Sequence, residues 1–374
     1  MFGNAEAPAI RCVYSWAHAL QNAEHEVQCG VKIQTYDRPE RAESIREALS
    51  ADPVFQLLDP EVHGLGHITA VHDPGLVDFL RDAWSQWREY GGLQGGPTGV
   101  DELFPDTILH PALREGMGPA PEPKILIGRM GYWCWETMTA LVQGSYAAAL
   151  AAVDVSLTAA DQVLAGQPFA YGLVRPSGHH SPRRAFGGNC FFNNAAVVAQ
   201  YLVSSTEGRV AILDVDYHHG NGTQQIFYDR EEVLYCSIHA DPDYAYPYFA
   251  GHASETGVGP GAHTTLNLPL ATGCTDATYL RALHQALERI VECSPDILVI
   301  SLGLDTYRLD PIGDFKLTTD LFHAVGGEVR ALGLPTVVLQ EGGYYVPALG
   351  ENVRQWLRGL AGAPALASES VQKT

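Results

Sequence analysis

Positive charge is the scarcest thing in this sequence: 23 lysines and arginines stand against 43 aspartates and glutamates, a formal charge of −20 over 374 residues. A surface that acidic repels phosphate backbones and anionic lipid and favours cationic partners, so neither nucleic acid nor a membrane is expected to bind it. Cysteine is sparse and unpatterned. Its seven copies are an odd number with no C-x-x-C, which argues against a disulfide framework and for reduced thiols in the cytoplasm. No apolar run approaches the ~20 residues of a membrane span. The opening "MFGNAEAPAI" lacks the basic-then-apolar layout of a signal peptide. No strand opens into a G-x-G-x-x-G turn, which removes a dinucleotide-binding reading.

What is present is a large apolar inventory, 46% of the chain, ample for an extensive core. Short β-branched runs are expected as strands at Ile10–Trp16, Ala170–Pro176, Arg209–Asp216, Glu232–His239, Asp296–Asp305 and Thr336–Gly343. Helical patterns lie among them at Tyr146–Ala165, Asn194–Ser204, Ala277–Cys293 and Thr319–Leu332. Near-continuous apolar strands alternating with helices predict an α/β fold, a central mostly parallel sheet with helices on both faces. No interdomain linker is visible, so residues 1–374 read as a single domain. The glycine- and proline-rich tract of about 91–131 is the one irregular insertion, of a length that usually forms a lid, a rim or a subunit contact. The polar tail, 363–374, is expected to fray.

Four of these strands run into reactive groups: "RPSGHHS" with His179 and His180, "LDVDYHHGNGTQQ" with Asp214, Asp216, His218 and Asn221, "SLGLDTYRLDP" with Asp305, and "QEGGYY" with Tyr344. In a parallel sheet the ligand crevice lies outside the carboxyl ends of the strands. At a strand end, residues i and i+2 share a side, so Asp216 and His218 could grip one ion, with Asp305 as a third ligand. Three N/O ligands with an open position suit catalytic zinc, and Fe2+ is compatible with so oxygen-rich a set. A single such aspartate would more often cap backbone N–H groups; three converging at sheet ends is a different matter. His179 and His180 beside a metal could move protons, with Asp214 and Asn221 as candidates to orient them. The phenol of Tyr344, or of its neighbour Tyr345, could donate to a developing oxyanion.

These motifs, together with "FGGNCFFNNAAVVAQ", "VHDPGLVDFL" and "YDRPERAESI", resemble those of the zinc-dependent histone deacetylase superfamily, and within it the bacterial acetylpolyamine amidohydrolases. The likeness runs from about Val13 to Gly362. It implies the arginase/deacetylase fold and hydrolysis of an N-acetylated amine to acetate and free amine. It implies Asp216, His218 and Asp305 as zinc ligands, His180 as general base and acid, His179 as an electrostatic partner, and Tyr344 rather than Tyr345 as the donor. It further implies a structural potassium ion near Asp214, Ser237 and Ile238, and a homodimer through the 91–131 insertion.

The likeness weakens along the substrate tunnel. Gly188 and Asn189 stand where such enzymes have a tunnel wall with an aromatic ring, Tyr246 stands at the facing wall, Met138 at the site of an acidic residue with Glu136 two places away, and Gln28 where an aromatic rim residue is expected. A small-molecule cationic acyl-amine is therefore the expected substrate class, with acetyl-lysine proteins or another acyl-amine as the alternative. An arginase-like ureohydrolase lacks the carboxylates for two metals here, and a non-catalytic acyl-amine sensor has no degenerate ligand to support it.

Overall fold

The computed structural model describes residues 10–90 and 101–367. Among the described residues ten strands occur in chain order: β1 (Ile10–Tyr14), β2 (His25–Gln28), β3 (Val31–Gln34), β4 (Phe55–Leu58), β5 (Phe169–Leu173), β6 (Val210–Asp214), β7 (Val233–Ala240), β8 (Thr265–Leu270), β9 (Ile297–Leu302) and β10 (Thr336–Gln340). Eight form one sheet in the order β4-β1-β5-β10-β9-β6-β7-β8, and every neighbouring pair is parallel. β2 and β3 form a separate antiparallel hairpin.

Strand pleating sorts the side chains onto two apolar faces. Val210 and Ile212 of β6 join one core with helices Pro74–Tyr90, Ser145–Leu164 and Asn194–Thr206. Ala211 and Leu213 join the other with helices Glu40–Ser50, Asp276–Cys293, Thr319–Ala331 and Val346–Ala361. Both faces are covered, which is why the central strands read as unbroken apolar runs.

Several expectations need correction. The strands at Arg209–Asp216, Asp296–Asp305 and Thr336–Gly343 end two to three residues early, at Asp214, Leu302 and Gln340. The reactive residues therefore sit in the loops beyond the sheet. Ser145–Leu164 does meet the length and apolarity of a membrane-spanning helix, but it packs into the core, and its Asp154 and Asp161 bind His63 through the backbone N–H (2.7 Å) and Nε2 (3.0 Å). At the start of the tail Ala363, Pro364 and Leu366 offer their carbonyls to His323, Arg358 and Gln355 at 2.8–2.9 Å; 368–374 lie outside the described residues. Of the insertion, 91–100 likewise lie outside them. The remainder is not all irregular, since helix Leu126–Trp133 begins within it and Glu102 ties it to the hairpin through Lys32 at 2.8 Å. All seven cysteines are unpaired.

Candidate active site

β5, β10, β9 and β6 are consecutive in the sheet, so the loops after them open at one place. Asp216, His218 and Asp305 meet there, each offering a ligand atom within 4.8 Å of the others. Asp216 and His218 do not share a side by strand pleating, because β6 has already ended. Backbone bonds aim the loop instead. Val215 N–H donates to Ser301 O (3.0 Å), Tyr217 N–H to Asp305 Oδ1 (2.9 Å), His218 N–H to Asp216 Oδ1 (2.9 Å) and Gly342 N–H to Asp216 Oδ2 (2.8 Å). Two buried carboxylates and an imidazole this close need a cation among them. His218 Nδ1 lies 2.9 Å from Asp305 Oδ2; burial opposes charge on this ring, and the two carboxylates outweigh burial and raise its pKa to about 9. Asp305, buried and beside Asp216, is pushed up to about 7. The donor set fits a divalent metal with open positions.

The two imidazoles of the His pair lie 4.0 Å apart, centre to centre, and meet different partners. His179 Nδ1 bonds Asp214 Oδ2 at 3.0 Å. Burial disfavours its charge, but Asp214, Asp216 and Glu341 outweigh burial and raise it to about 10. His180 Nδ1 bonds Asn221 Oδ1 at 2.7 Å. Burial, with His179 and His218 nearby, pushes it well below its ordinary value. Nδ1 of His180 must donate to the amide oxygen, which leaves Nε2 with a free lone pair.

Tyr344 and Tyr345 separate cleanly. The ring of Tyr344 lies against the Arg41 guanidinium, 4.4 Å from its centre. Burial raises its phenol well above the usual value, with Arg41 opposing and Asp305 and Asp216 reinforcing. Tyr345 instead packs toward Tyr307 and the core. Asp310 Oδ2 accepts both backbone N–H groups, at 2.7 and 3.2 Å.

Asp214 and Ser237 are register partners on β6 and β7, with Ile238 next, all buried; Ser237 Oγ lies 2.8 Å from His239 Nδ1. Gly188 has φ +61°, and a Cβ there would come within 2.6 Å of the His180 ring, so only glycine admits the base at this spot. Asn189, at φ 59°, donates its N–H to Thr139 Oγ1 at 2.8 Å. Tyr246 stands edge-on to His180 and His218, at 5.0 and 6.0 Å. Glu136 turns its carboxylate back to the N–H groups of Met138, Thr139 (2.9 Å) and Gly188 (3.2 Å). Gln28 is exposed at the hairpin tip, bonded to Glu26 at 2.6 Å.

Four neighbours of the site escaped the sequence reading. Arg41 donates to the carbonyls of Gly343 (2.6 Å) and Glu341 (2.7 Å), bracketing the turn that carries Tyr344. Glu341 accepts from Gly178 N–H at 2.8 Å and is raised to about 7 by burial, with His179 opposing. Asp310 holds Tyr344. Trp135 packs on Tyr246 with ring centres 5.5 Å apart. Arg41 lies in the quoted "YDRPERAESI", but nothing local marks an arginine as buried.

A parallel sheet whose central strand ends carry a two-carboxylate, one-imidazole cluster beside paired imidazoles and a phenol defines a metal-dependent hydrolase. A histone deacetylase domain model matches residues 35–360. The chain is 40% identical to the acetylpolyamine amidohydrolase of Mycoplana ramosa over 353 residues, 94% of this chain and all of that one. It is equally similar to acetylpolyamine amidohydrolase 1 of Pseudomonas aeruginosa, 40% over 351 residues, covering 94% of this chain and 99% of that one. The crystal structure of an acetylpolyamine aminohydrolase from Burkholderia pseudomallei superposes with a TM-score of 0.86 at 34% identity, covering 94% of this chain and 98% of that one. The chain belongs to the histone deacetylase family.

Proposed function

We propose that the protein is a cytoplasmic deacetylase that hydrolyses small cationic N-acetylated amines, acetylpolyamines among them, to acetate and the free amine. The observation that carries this reading is the unequal pairing of His179 and His180 beside the Asp216, His218 and Asp305 cluster. A divalent ion held by those three residues, zinc as is general in this family with Fe2+ compatible, would supply Lewis acidity to the acetamide oxygen and to the attacking water. His180 Nε2 takes the proton of the water as its oxygen attacks the carbonyl carbon. It then delivers that proton to the amine nitrogen as the C–N bond breaks. Asp214, bonded to His179 Nδ1, favours the charged form of this ring beside the negative oxygen. The Tyr344 hydroxyl, its proton retained because burial raises its pKa, donates to that oxygen.

The names of the relatives support an acetylated polyamine as substrate, and the charge of −20 favours a cation. Under the same reading a potassium ion sits among the buried Asp214, Ser237 and Ile238. A homodimer forms through the insertion, whose Leu113 and Met117 are 73% and 64% exposed. The test is acetate release by zinc-loaded protein from N-acetylputrescine, N-acetylcadaverine, N-acetylspermidine, an acetyl-lysine peptide and uncharged acetamides. Acetylated diamines should lead by at least ~10-fold in kcat/KM, equivalent to about 1.4 kcal/mol. Equal turnover of neutral acetamides removes the cationic preference, and preference for the peptide moves the substrate to acetylated proteins.

A further inference from the structure

Tyr246 faces both His180 and His218 edge-on, so its ring flanks the approach to the metal position. On that approach the loop Gly187–Gly188–Asn189 brings no ring of its own. The indole of Trp135 is there instead. It lies 27° from parallel to Tyr246 with centres 5.5 Å apart, and 6.5 Å from the His180 ring. Gly187 makes room for it, since a Cβ at that position would come within 2.7 Å of the indole Nε1. A methylene chain held between two ring faces needs about 7–8 Å between their centres, two van der Waals contacts of about 3.5–4 Å each. The present spacing excludes such a chain.

The indole N–H donates to His180 O at 3.1 Å, and Phe249, itself 62% exposed, meets the ring edge-on. Trp135 also borders a cavity of about 750 Å3 with Asn221, Gln224, Phe249 and Glu255, a cavity that neither Tyr246 nor His180 lines. The ring therefore has a partner to leave on one side and empty space to enter on another. The Tyr246 hydroxyl is buried with no hydrogen-bond partner among the described residues.

We propose that Trp135 is the specificity-determining residue of this tunnel: the amine chain of the substrate takes its place against Tyr246 by moving the indole toward the adjoining cavity, so slim flexible amines enter and bulky ones do not. This rests on the deacetylase reading of the site. Because the indole N–H bonds the carbonyl of the catalytic base, entry of substrate and the seating of His180 are coupled.

Two readouts test it. The first is the indole N–H resonance of Trp135, identified by its loss in Trp135→Phe, recorded in zinc-loaded protein carrying Tyr344→Phe so that added N-acetylcadaverine persists. It should shift and exchange faster with solvent on saturation. The second is kcat/KM for N-acetylbenzylamine relative to N-acetylcadaverine, which should rise by ~10-fold or more in Trp135→Ala, with a smaller rise in Trp135→Phe. A resonance that stays put under saturating amide, or a ratio unchanged in both variants, overturns the proposal while leaving the deacetylase reading intact. A wild type that releases no acetate although the resonance moves overturns the deacetylase reading and upholds the displacement of Trp135. If Trp135→Ala fails to fold, Trp135→Phe and the resonance decide.

Discussion

The His pair differs because the far nitrogen of each ring meets a different group: a carboxylate behind His179, a neutral amide behind His180. That difference is measurable. In wild type His180 is held well below its ordinary value and is neutral at pH 7, so its basic form is lost only under acid conditions. Asn221→Asp places a charge behind it and raises its pKa. The acid limb of kcat/KM against pH should move to higher pH, and an unmoved limb would detach Asn221 from His180. Tyr344→Phe should lower kcat by about 10²–10³, the usual scale for one oxyanion donor, with bound zinc unchanged on elemental analysis. Reactive residues were legible because His, Asp and Tyr at the ends of apolar runs are chemically conspicuous. Arg41, Glu341, Asp310 and Trp135 were not, since each acts through a contact made by a distant segment.

Secondary-structure elements place the site through their ends, and the ends were the least legible part. The long apolar runs at β5, β6, β7, β9 and β10 announced themselves. β4 has only four residues, and β8 contains Pro269, which an edge strand tolerates and a central one does not. Neither gave a strand signal. A second device at this scale is His72, just ahead of the helix Pro74–Tyr90. Its Nε2 accepts the N–H of Asn193 at 2.8 Å, while Nδ1 lies 3.2 Å from the carbonyl of Pro182, two residues after His180. Asn193 in turn caps the helix Asn194–Thr206, accepting from Ala196 N–H at 2.9 Å. Burial lowers His72 to about 4, with backbone carbonyls opposing. The unfolded chain therefore takes up a proton near pH 6.5 that the folded chain refuses. The resulting stability is present above about 6.5 and lost as pH falls toward 4, roughly 3 kcal/mol in all. In urea unfolding, the gap between wild type and His72→Gln should narrow over that window; a constant gap would show that His72 does not titrate this way.

For the whole molecule the balance of charge and the two-faced core were legible in composition and pattern, while the anchoring of the insertion was not. Glu102 reaching Lys32 across the hairpin is a tertiary event with no local signature. Two predictions belong to this scale. Removing the metal leaves Asp216 and Asp305 as close buried carboxylates with only His218 between them, so chelation should lower Tm. Binding at about 1,000 times Kd contributes about 4 kcal/mol, a loss of several degrees that zinc restores. An unchanged Tm would mean that no ion contributes there. If the insertion joins two copies, Leu113→Glu with Met117→Glu should halve the mass seen by light scattering, and a wild type that is already monomeric contradicts that interface.

The most direct test of the central claim is stoichiometric. Zinc-loaded wild type and His180→Ala are each incubated with N-acetylcadaverine, and acetate and cadaverine are quantified together. The account predicts equal molar release of the two products by wild type and a rate at least ~10²-fold lower in the variant, the scale of a lost general base. No acetate from wild type, or the same rate from His180→Ala, would contradict it.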